Sequence, residues 1–356
     1  MKPRIERLKS RLDHHGLDAL LVSSATNIRY LFGFTGSNAI ALISSGPSFF
    51  VTDRRYRQQS GEQVHDAEII IAQKDLYSEL QRVSILTPGY KVGVEVAHLP
   101  VKSFFHLKKI LPNVKLLAAE NLVEKIASIK EPAEIENIRR AGGICQSIFR
   151  EVCSVSKPGM RELELSAEIS YRAMRAGSER DPFEPIVASG KRSALPHGIS
   201  TSKVLETGDL VIVDFGATIN GYAADFTRTV VLGELTKKYE EMARVVLQAL
   251  CAAESAARPG MSGKQLDQVA RDSIEQEGYG DYFQHSLGHG LGLNVHAMPR
   301  ISEQSEDALE VGQVITLEPG VYVPEVGGVR IEDDFYLTEP GLENLTPCDR
   351  EVVCVG

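Results

Sequence analysis

Two blocks in the second half of the chain recur in the same order, and nothing else in the sequence limits the fold as much. KPGMRELEL at residues 157–165 returns in outline as RPGMSGKQL at residues 258–266. In each copy a helical pattern follows the Pro-Gly-Met, and a glycine (Gly177, Gly278) sits at the same offset beyond the methionine. Farther on, LETGDLVIVDFG at 205–216 matches LEVGQVITLEPG at 309–320, which lays Asp214 on Glu318. Pro-Gly turns can match by chance. Two ordered blocks, the second carrying an acid inside an apolar strand in both copies, point instead to duplication. A duplicated helix–helix–strand unit builds a pseudo-symmetric domain in which each half lends an acid to a shared junction, where pockets commonly form.

The acids have defined geometry. DLVIVDFGATINGYAADFTRTVVLG reads as a β-hairpin turning at Asn220-Gly221, a strong two-residue turn signal. Ile219 then faces Tyr222 and Asp214 faces Thr227, so alternation puts Asp214, Asp225 and Thr227 on one face. Asp214 and Asp225 become diagonal neighbours about 7–8 Å apart at the backbone. QVITLEPGVYV and GGVRIEDDFYL form a second strand pair around a turn at residues 324–328. Any odd-length loop there brings Glu318 and Glu332 to one face, with Arg330 beside Glu332. One buried acid is ordinarily a structural salt bridge. Four acids from two related hairpins repel one another unless a cation lies between them.

QHSLGHGLGLNVHAMP supplies His285, His289 and His296, and SALPHG supplies His197. A lone histidine in a glycine-rich loop is more often a surface residue than a ligand, and GHGLG lacks the spacing of a phosphate loop. Beside four buried acids, His289 becomes a fifth ligand. One nitrogen among carboxylates suits Mn²⁺, Co²⁺, Zn²⁺ or Fe²⁺ better than Cu⁺, and argues mildly against Mg²⁺ or Ca²⁺. Two such ions about 3.5–4 Å apart can share a bridging water whose pKa falls to about 7, which is the chemistry of hydrolysis.

Length and composition set the frame. A chain of 356 residues suggests two domains. Up to about Glu120, the runs DALLVSS, AIALIS, SFFVTD and AEIIIA read as buried strands between amphipathic helices, an α/β domain. A long helical stretch follows, with Pro132 at a helix start, so the expected domains are residues 1–125 and 126–356. A net charge of −9 argues against a nucleic-acid partner. No apolar run is long enough for a membrane helix, and the charged amphipathic start is not a secretory signal. Five cysteines without a CxxC pair suggest a reducing cytoplasm rather than a disulfide framework.

The segments VDFGA, DFTRT, HSLGHGLGLNVH, TLEPGVY and GGVRIEDD together resemble the pita-bread metallopeptidases. The likeness is strongest to the proline-specific members, aminopeptidase P and Xaa-Pro dipeptidase (prolidase). NIRYLFGFTGSNA and DRRY resemble their creatinase-like N-terminal domain, so the resemblance spans the chain. It implies a creatinase-like α/β domain followed by a pseudo-symmetric pita-bread catalytic domain, α/β (α+β) overall. It implies two divalent metals, Mn²⁺ foremost, on Asp214, Asp225, His289, Glu318 and Glu332, with Asp225 and Glu332 bridging. It makes Glu318 the general base, His197 and His296 the groups that hold substrate and stabilise the oxyanion, and His285 a lining residue. Arg330 would pair with the bridging acids, and Arg300 would hold a dipeptide's carboxylate. The implied partners are peptides with proline in the second position and a second copy of the chain in a homodimer. Ala297 departs from the pattern, standing where these enzymes commonly have an acid. A creatinase-like metal-free hydrolase and a non-catalytic binding protein on the same fold both call for broken ligand sets, and none of the five positions is broken.

Overall fold

Residues 2–356 are described by a computed structural model, with side chains from Pro3 onward. The chain divides into two compact units, Met1–Ala127 and Ser128–Gly356.

In the first unit the four apolar runs are strands β1 (Ala19–Val22), β2 (Ala39–Ser44), β3 (Ser48–Asp53) and β4 (Glu68–Ala72). Two more, β5 (Lys91–Glu95) and β6 (Lys115–Ala119), complete a mixed six-stranded sheet in the order β4-β3-β2-β1-β5-β6. These two carry weaker sequence signals: each opens on a lysine, and β6, at the sheet edge, leaves Lys115, Leu117 and Ala118 exposed. The unit's helices are α1 (Lys2–Leu12), α2 (Ala25–Phe32), α3 (Arg57–Gln63), α4 (Val101–Ile110) and α5 (Leu122–Ala127). The GSN and DRRY segments meet in space: Asn38 donates to Asp53 at 2.6 Å, and Ser37 and Tyr56 share a hydrogen bond of 2.7 Å.

The second unit contains the duplication. In the first half α6 (Pro132–Val155) and α7 (Glu162–Arg175) precede β7 (Ile186–Ser189), β8 (Leu210–Ile219) and β9 (Tyr222–Leu232). In the second half α8 (Lys237–Ala256) and α9 (Gly263–Gln276) precede β10 (Gly288–Gly290), β11 (Ala297–Ile301) and β12 (Val314–Leu317). Then come β13 (Gly320–Val323), β14 (Gly327–Arg330), β15 (Asp333–Thr338), β16 (Gly341–Asn344) and β17 (Val353–Val355).

Pro132 occupies the first turn of α6, where its missing N–H costs nothing, and Glu134 closes a capping box with the Glu131 backbone. The two Pro-Gly-Met blocks make the same local structure. Gly159 N–H donates to Leu205 and Gly260 N–H to Leu309; Leu205 and Leu309 return bonds to Met160 and Met261. Isolated bridges Arg161–Val204 and Ser262–Ala308 repeat the match. Gly177 and Gly278 both have left-handed φ, 105° and 80°, where each helix must reverse and a side chain would be strained. Leu165, Ile169 and Ala173 of α7 and Leu266, Ala270 and Ile274 of α9 are fully buried at helical spacing beneath the sheets. The result is two sheets, β17-β9-β8-β7 and β11-β10-β12-β15-β16, with the separate pair β13-β14.

Candidate metal centre

The β8–β9 hairpin turns at Asn220 and Gly221, with φ 51° and 84°, as a two-residue turn of this hand requires. Its register pairs Asp214 with Thr227, Gly216 with Asp225 and Ile219 with Tyr222. Asp214, Asp225 and Thr227 therefore share a face. Asp225 is fixed through its backbone, whose N–H donates to Asp334 Oδ2 at 3.0 Å.

The second strand pair differs from the continuous hairpin that parity implies. Leu317 pairs with Asp333 and Gly320 with Arg330, so Glu318 and Glu332 fall opposite each other, yet the ladder opens between them. Pro319 has no N–H to give, and only a long bond from Ile331 N–H to Pro319 O, 3.4 Å, spans the gap. Glu332 turns instead to β9. Its N–H donates to Thr227 O at 3.1 Å, and the Thr227 hydroxyl donates to its Oε2 at 2.6 Å. The opening in one ladder thus hands an acid to the other sheet.

His289 lies in β10, between β11 and β12. The flanking glycines are required by close packing: a Cβ on Gly288 would collide with the Thr316 carbonyl, and one on Gly290 with that of Met298. His289 Nδ1 lies 3.1 Å from its own neighbour's carbonyl, Gly290 O, and so carries the proton. That leaves Nε2 as a free lone pair, 3.4 Å from Glu318 Oε1 and 3.8 Å from Asp225 Oδ2. Burial, then His296, lowers the imidazole's pKa to about 4, so it is neutral. Ligand atoms of Asp225, His289 and Glu332 all lie within 4.8 Å of one another.

Asp214 is held differently. Arg330 Nη2 donates to its Oδ2 at 2.5 Å, and Arg330 Nε reaches Thr227 Oγ1 at 3.3 Å. This corrects the expectation that Arg330 pairs with the bridging acids: its direct partner is Asp214, and it reaches Glu332 only through Thr227. Arg330 Nη1 also donates to the Tyr322 hydroxyl at 2.8 Å and to Pro196 O at 3.0 Å.

Burial first, then the neighbouring Glu332 and Asp214, pushes Asp225 well above the usual carboxylate range. Burial and Glu332 do the same to Glu318, and burial and Asp214 raise Glu332 to about 8. Asp214 Oδ1, Glu332 Oε1 and Asp334 Oδ1 are buried without any hydrogen-bond partner. Clustered acids, unsatisfied oxygens and an unprotonated imidazole nitrogen form a donor set short of positive charge. The residues fit divalent cations.

The other expected residues surround this centre. His296 stacks edge-on to His289, ring centroids 4.5 Å apart, and its pKa is lowered by burial and by the nearby His197. His197 is exposed, one residue beyond the carbonyl that Arg330 holds. Arg300 pairs with His289 across β10 and β11 and is exposed. His285 is engaged: its Nδ1 faces Ser286 O, and its Nε2 meets the Tyr322 hydroxyl, both at 2.8 Å. Burial and Arg330 lower it to about 3, so it is neutral and accepts from Tyr322. With Arg300 it also borders a cavity of about 650 Å³.

Four participants were invisible to sequence reasoning: Thr227 as a link, Tyr322, Asp334 and Arg228. Arg228 is buried and donates to the carbonyls of Thr227, Glu332, Cys348 and Asp349 and to Asp333 Oδ1. Only strand parity could have flagged it, since an arginine in an apolar strand next to Thr227 points away from the acids.

The duplicated frame and the cation-deficient acid–histidine centre define a metal-dependent hydrolase. Residues 136–339 match the model of metallopeptidase family M24, and residues 4–129 that of the creatinase/prolidase N-terminal domain. The chain belongs to metallopeptidase family M24, with its pita-bread fold and its requirement for divalent metal ions. It is 36% identical to an Xaa-Pro dipeptidase of Pyrococcus furiosus, over 99% of this chain and 100% of that one. Among solved structures it resembles an Xaa-Pro dipeptidase from Bacillus anthracis, with TM-score 0.96, 37% identity and 99% of each chain covered. It likewise resembles an X-Pro aminopeptidase from Thermotoga maritima, with TM-score 0.90, 37% identity, and 99% of this chain and 100% of that one covered.

Proposed function

We propose that the chain is an Xaa-Pro dipeptidase that hydrolyses the bond preceding a proline in the second position, with two divalent metal ions, Mn²⁺ foremost. The observation that carries this reading is the convergence of Asp225, Glu332 and Glu318 on the free Nε2 of His289. Asp214, Asp225, His289, Glu318 and Glu332 would hold the metals. Bound there, such ions lower the pKa of water and polarise the scissile carbonyl.

The chain's own groups do the rest. Glu318 keeps 18% of its side chain exposed, against 12% for Asp214 and 7% for Asp225, so it is the acid best placed to take a proton from an attacking water. His197 and His296 sit on the open side and donate to the developing oxyanion. Arg300, across the ladder from His289, pairs with the free carboxylate of a dipeptide. An Xaa-Pro amide has no N–H and a restricted backbone, so its recognition needs a dedicated cavity rather than strand-like pairing. Five free thiols suit a reducing cytoplasm, and the homodimer implied by the resemblance belongs to the same reading.

The test is metal content together with a length series. The expected result is about two equivalents of metal, activity lost on chelation and regained with Mn²⁺ or Co²⁺, and Ala-Pro cut faster than Ala-Pro-Ala. Full activity in metal-free protein rejects the mechanism, and faster cleavage of the tripeptide rejects the dipeptidase assignment.

A further inference from the structure

The face that carries the acids continues past them into a second cavity. Beyond the pairs Asp214–Thr227 and Gly216–Asp225, the next rung on that face is Thr218–Ala223. At about 3.3 Å per residue, this rung lies roughly 7 Å from Asp225 along the strand. There a cavity of about 320 Å³ opens, bounded by Thr218, Ala223, Phe183, Val295, Arg180 and His296. His296 therefore borders both the acid cluster and this cavity. The volume falls at the low end of the roughly 300–1,000 Å³ of small-molecule clefts, enough for one side chain.

Its wall is fixed in place. A Cβ at Gly216 would meet Pro182, and Phe183 Cε1 at 3.2 Å, so the absence of a side chain there lets residues 182–183 lie on the sheet beside Asp225. The segment is pinned to the hairpin by Glu179 N–H to Thr218 O at 2.9 Å, Thr218 N–H to Ser178 Oγ at 2.9 Å and Gly221 N–H to Glu179 Oε2 at 3.1 Å.

Two polar features distinguish the lining. Thr218 is 1% exposed and its hydroxyl has no hydrogen-bond partner, an unusual and costly state for a buried donor. Arg180 is the lining's only residue with a permanent charge. The acids beside it in sequence do not line the cavity, and Glu179 accepts the Gly221 N–H.

We propose that this cavity receives the side chain of the substrate's first residue, and that Thr218 and Arg180 select polar and acidic side chains there. The first residue's Cα is one bond from the carbonyl that reacts at the acid cluster, so its side chain is within reach of a cavity starting one rung away. The polar lining suits such a side chain better than an apolar proline ring. A Glu or Gln side chain gives Thr218 its missing partner, and a carboxylate also answers Arg180. This inference rests on the exopeptidase reading above.

The test compares kcat/KM for Glu-Pro, Gln-Pro, Leu-Pro and Lys-Pro, and for the same four first residues before alanine. Manganese-loaded wild type, Arg180→Glu and Thr218→Val are compared, with thermal unfolding as a fold control. Wild type is expected to favour Glu over Lys by about tenfold, Arg180→Glu to reverse that order, and Thr218→Val to lower Gln relative to Leu by about threefold to tenfold. Thr218→Val keeps the shape and the backbone bonds, so it reports on the hydroxyl alone. An unchanged first-residue ranking in both variants overturns the proposal. So does a change confined to the choice between proline and alanine in the second position, which would make the cavity a proline site. Cleavage of the alanine series without the proline series rejects proline specificity while still reading out the cavity. No cleavage of either series rejects both.

Discussion

His289 Nε2 lies 3.4 Å from Glu318 Oε1, while the other ring nitrogen is committed to the Gly290 carbonyl. The tautomer is therefore set by backbone before any ion arrives, and the acid and imidazole present lone pairs to a common point. Once the acid gives up its proton the two lone pairs face each other and repel, so a cation between them is what lets both groups stand unprotonated at this spacing. His289→Ala is expected to lower metal affinity by about tenfold to a hundredfold and to leave a folded protein. Calorimetric titration of chelated protein with Mn²⁺ reads this, and an unchanged affinity would remove His289 from the ligand set.

The metal-free protein should lose stability as pH rises. Glu332 ionises at 4.5 in the unfolded chain and at about 8 when folded without metal, because burial and Asp214 oppose its charge. Between those values the folded state holds a proton that the unfolded state has released. Stability is therefore highest below about pH 4.5 with respect to this group and declines up to about pH 8. Asp225 and Glu318 are raised in the same direction and deepen the slope. Together these acids outweigh the opposite contribution of His285 and His289, which are lowered to about 3 and about 4 and act only up to about pH 6.5. The melting temperature of chelated protein is expected to drop by on the order of 5 °C or more between pH 5 and 8. Added Mn²⁺ should flatten the slope by replacing the protons. A chelated protein more stable at pH 8 than at pH 5 would contradict the buried cluster.

How far the sequence exposes this site depends on what each residue obeys. Asp214 and Asp225 were legible because Asn220-Gly221 fixes a hairpin register, and register fixes a face. Glu318 was legible from the duplication, whose two copies make the same bonds at Met160 and Met261. Strands β1 to β4 were legible as apolar runs. The opening of the second ladder was not, because parity counts residues and cannot say where Pro319 interrupts pairing. Nor was the partner of Arg330. It sits two residues from Glu332, but its side chain reaches across to β8, and a choice among buried acids is made by three-dimensional packing alone. Tyr322 and Asp334 look like ordinary strand residues until their partners are known.

Arg330 and His285 are joined through the Tyr322 hydroxyl, which accepts from the first and donates to the second. Tyr322→Phe removes both bonds and leaves a neutral His285 without a donor. Arg330 keeps Asp214 and Pro196 O, so its position should survive. The expected result is a fall in kcat of about tenfold or more with a smaller change in KM, since the lost bonds orient groups around Asp214 rather than substrate. Steady-state kinetics on Ala-Pro with excess Mn²⁺ separates the two constants, and a pure KM effect would place Tyr322 against substrate instead.

Arg228 acts from the opposite face of β9. Its guanidinium ties Thr227 O in β9 to Glu332 O and Asp333 Oδ1 at the start of β15, and lies 4.3 Å over the Phe226 ring. The strand that carries Asp225 and the segment that carries Glu332 are thereby locked at one spacing. Arg228→Met keeps the volume but leaves Asp333 with Arg350, 2.7 Å away, as its one cationic partner beside the neutral donors Asn344 and Thr346. Breaking one partner of a buried pair costs about 3–5 kcal/mol, and the Glu332 carbonyl, which loses its guanidinium donor, adds to it. Urea unfolding of the metal-free variant should show that loss, and its Mn²⁺ affinity should weaken although Arg228 touches no ligand oxygen. Arg228→Lys can hold Asp333 but cannot serve the carbonyls as a planar fork does, so it should restore part of the stability and little of the affinity. Full recovery of affinity by lysine would mean that charge alone, rather than the fork joining the two strands, sets the spacing of the acids.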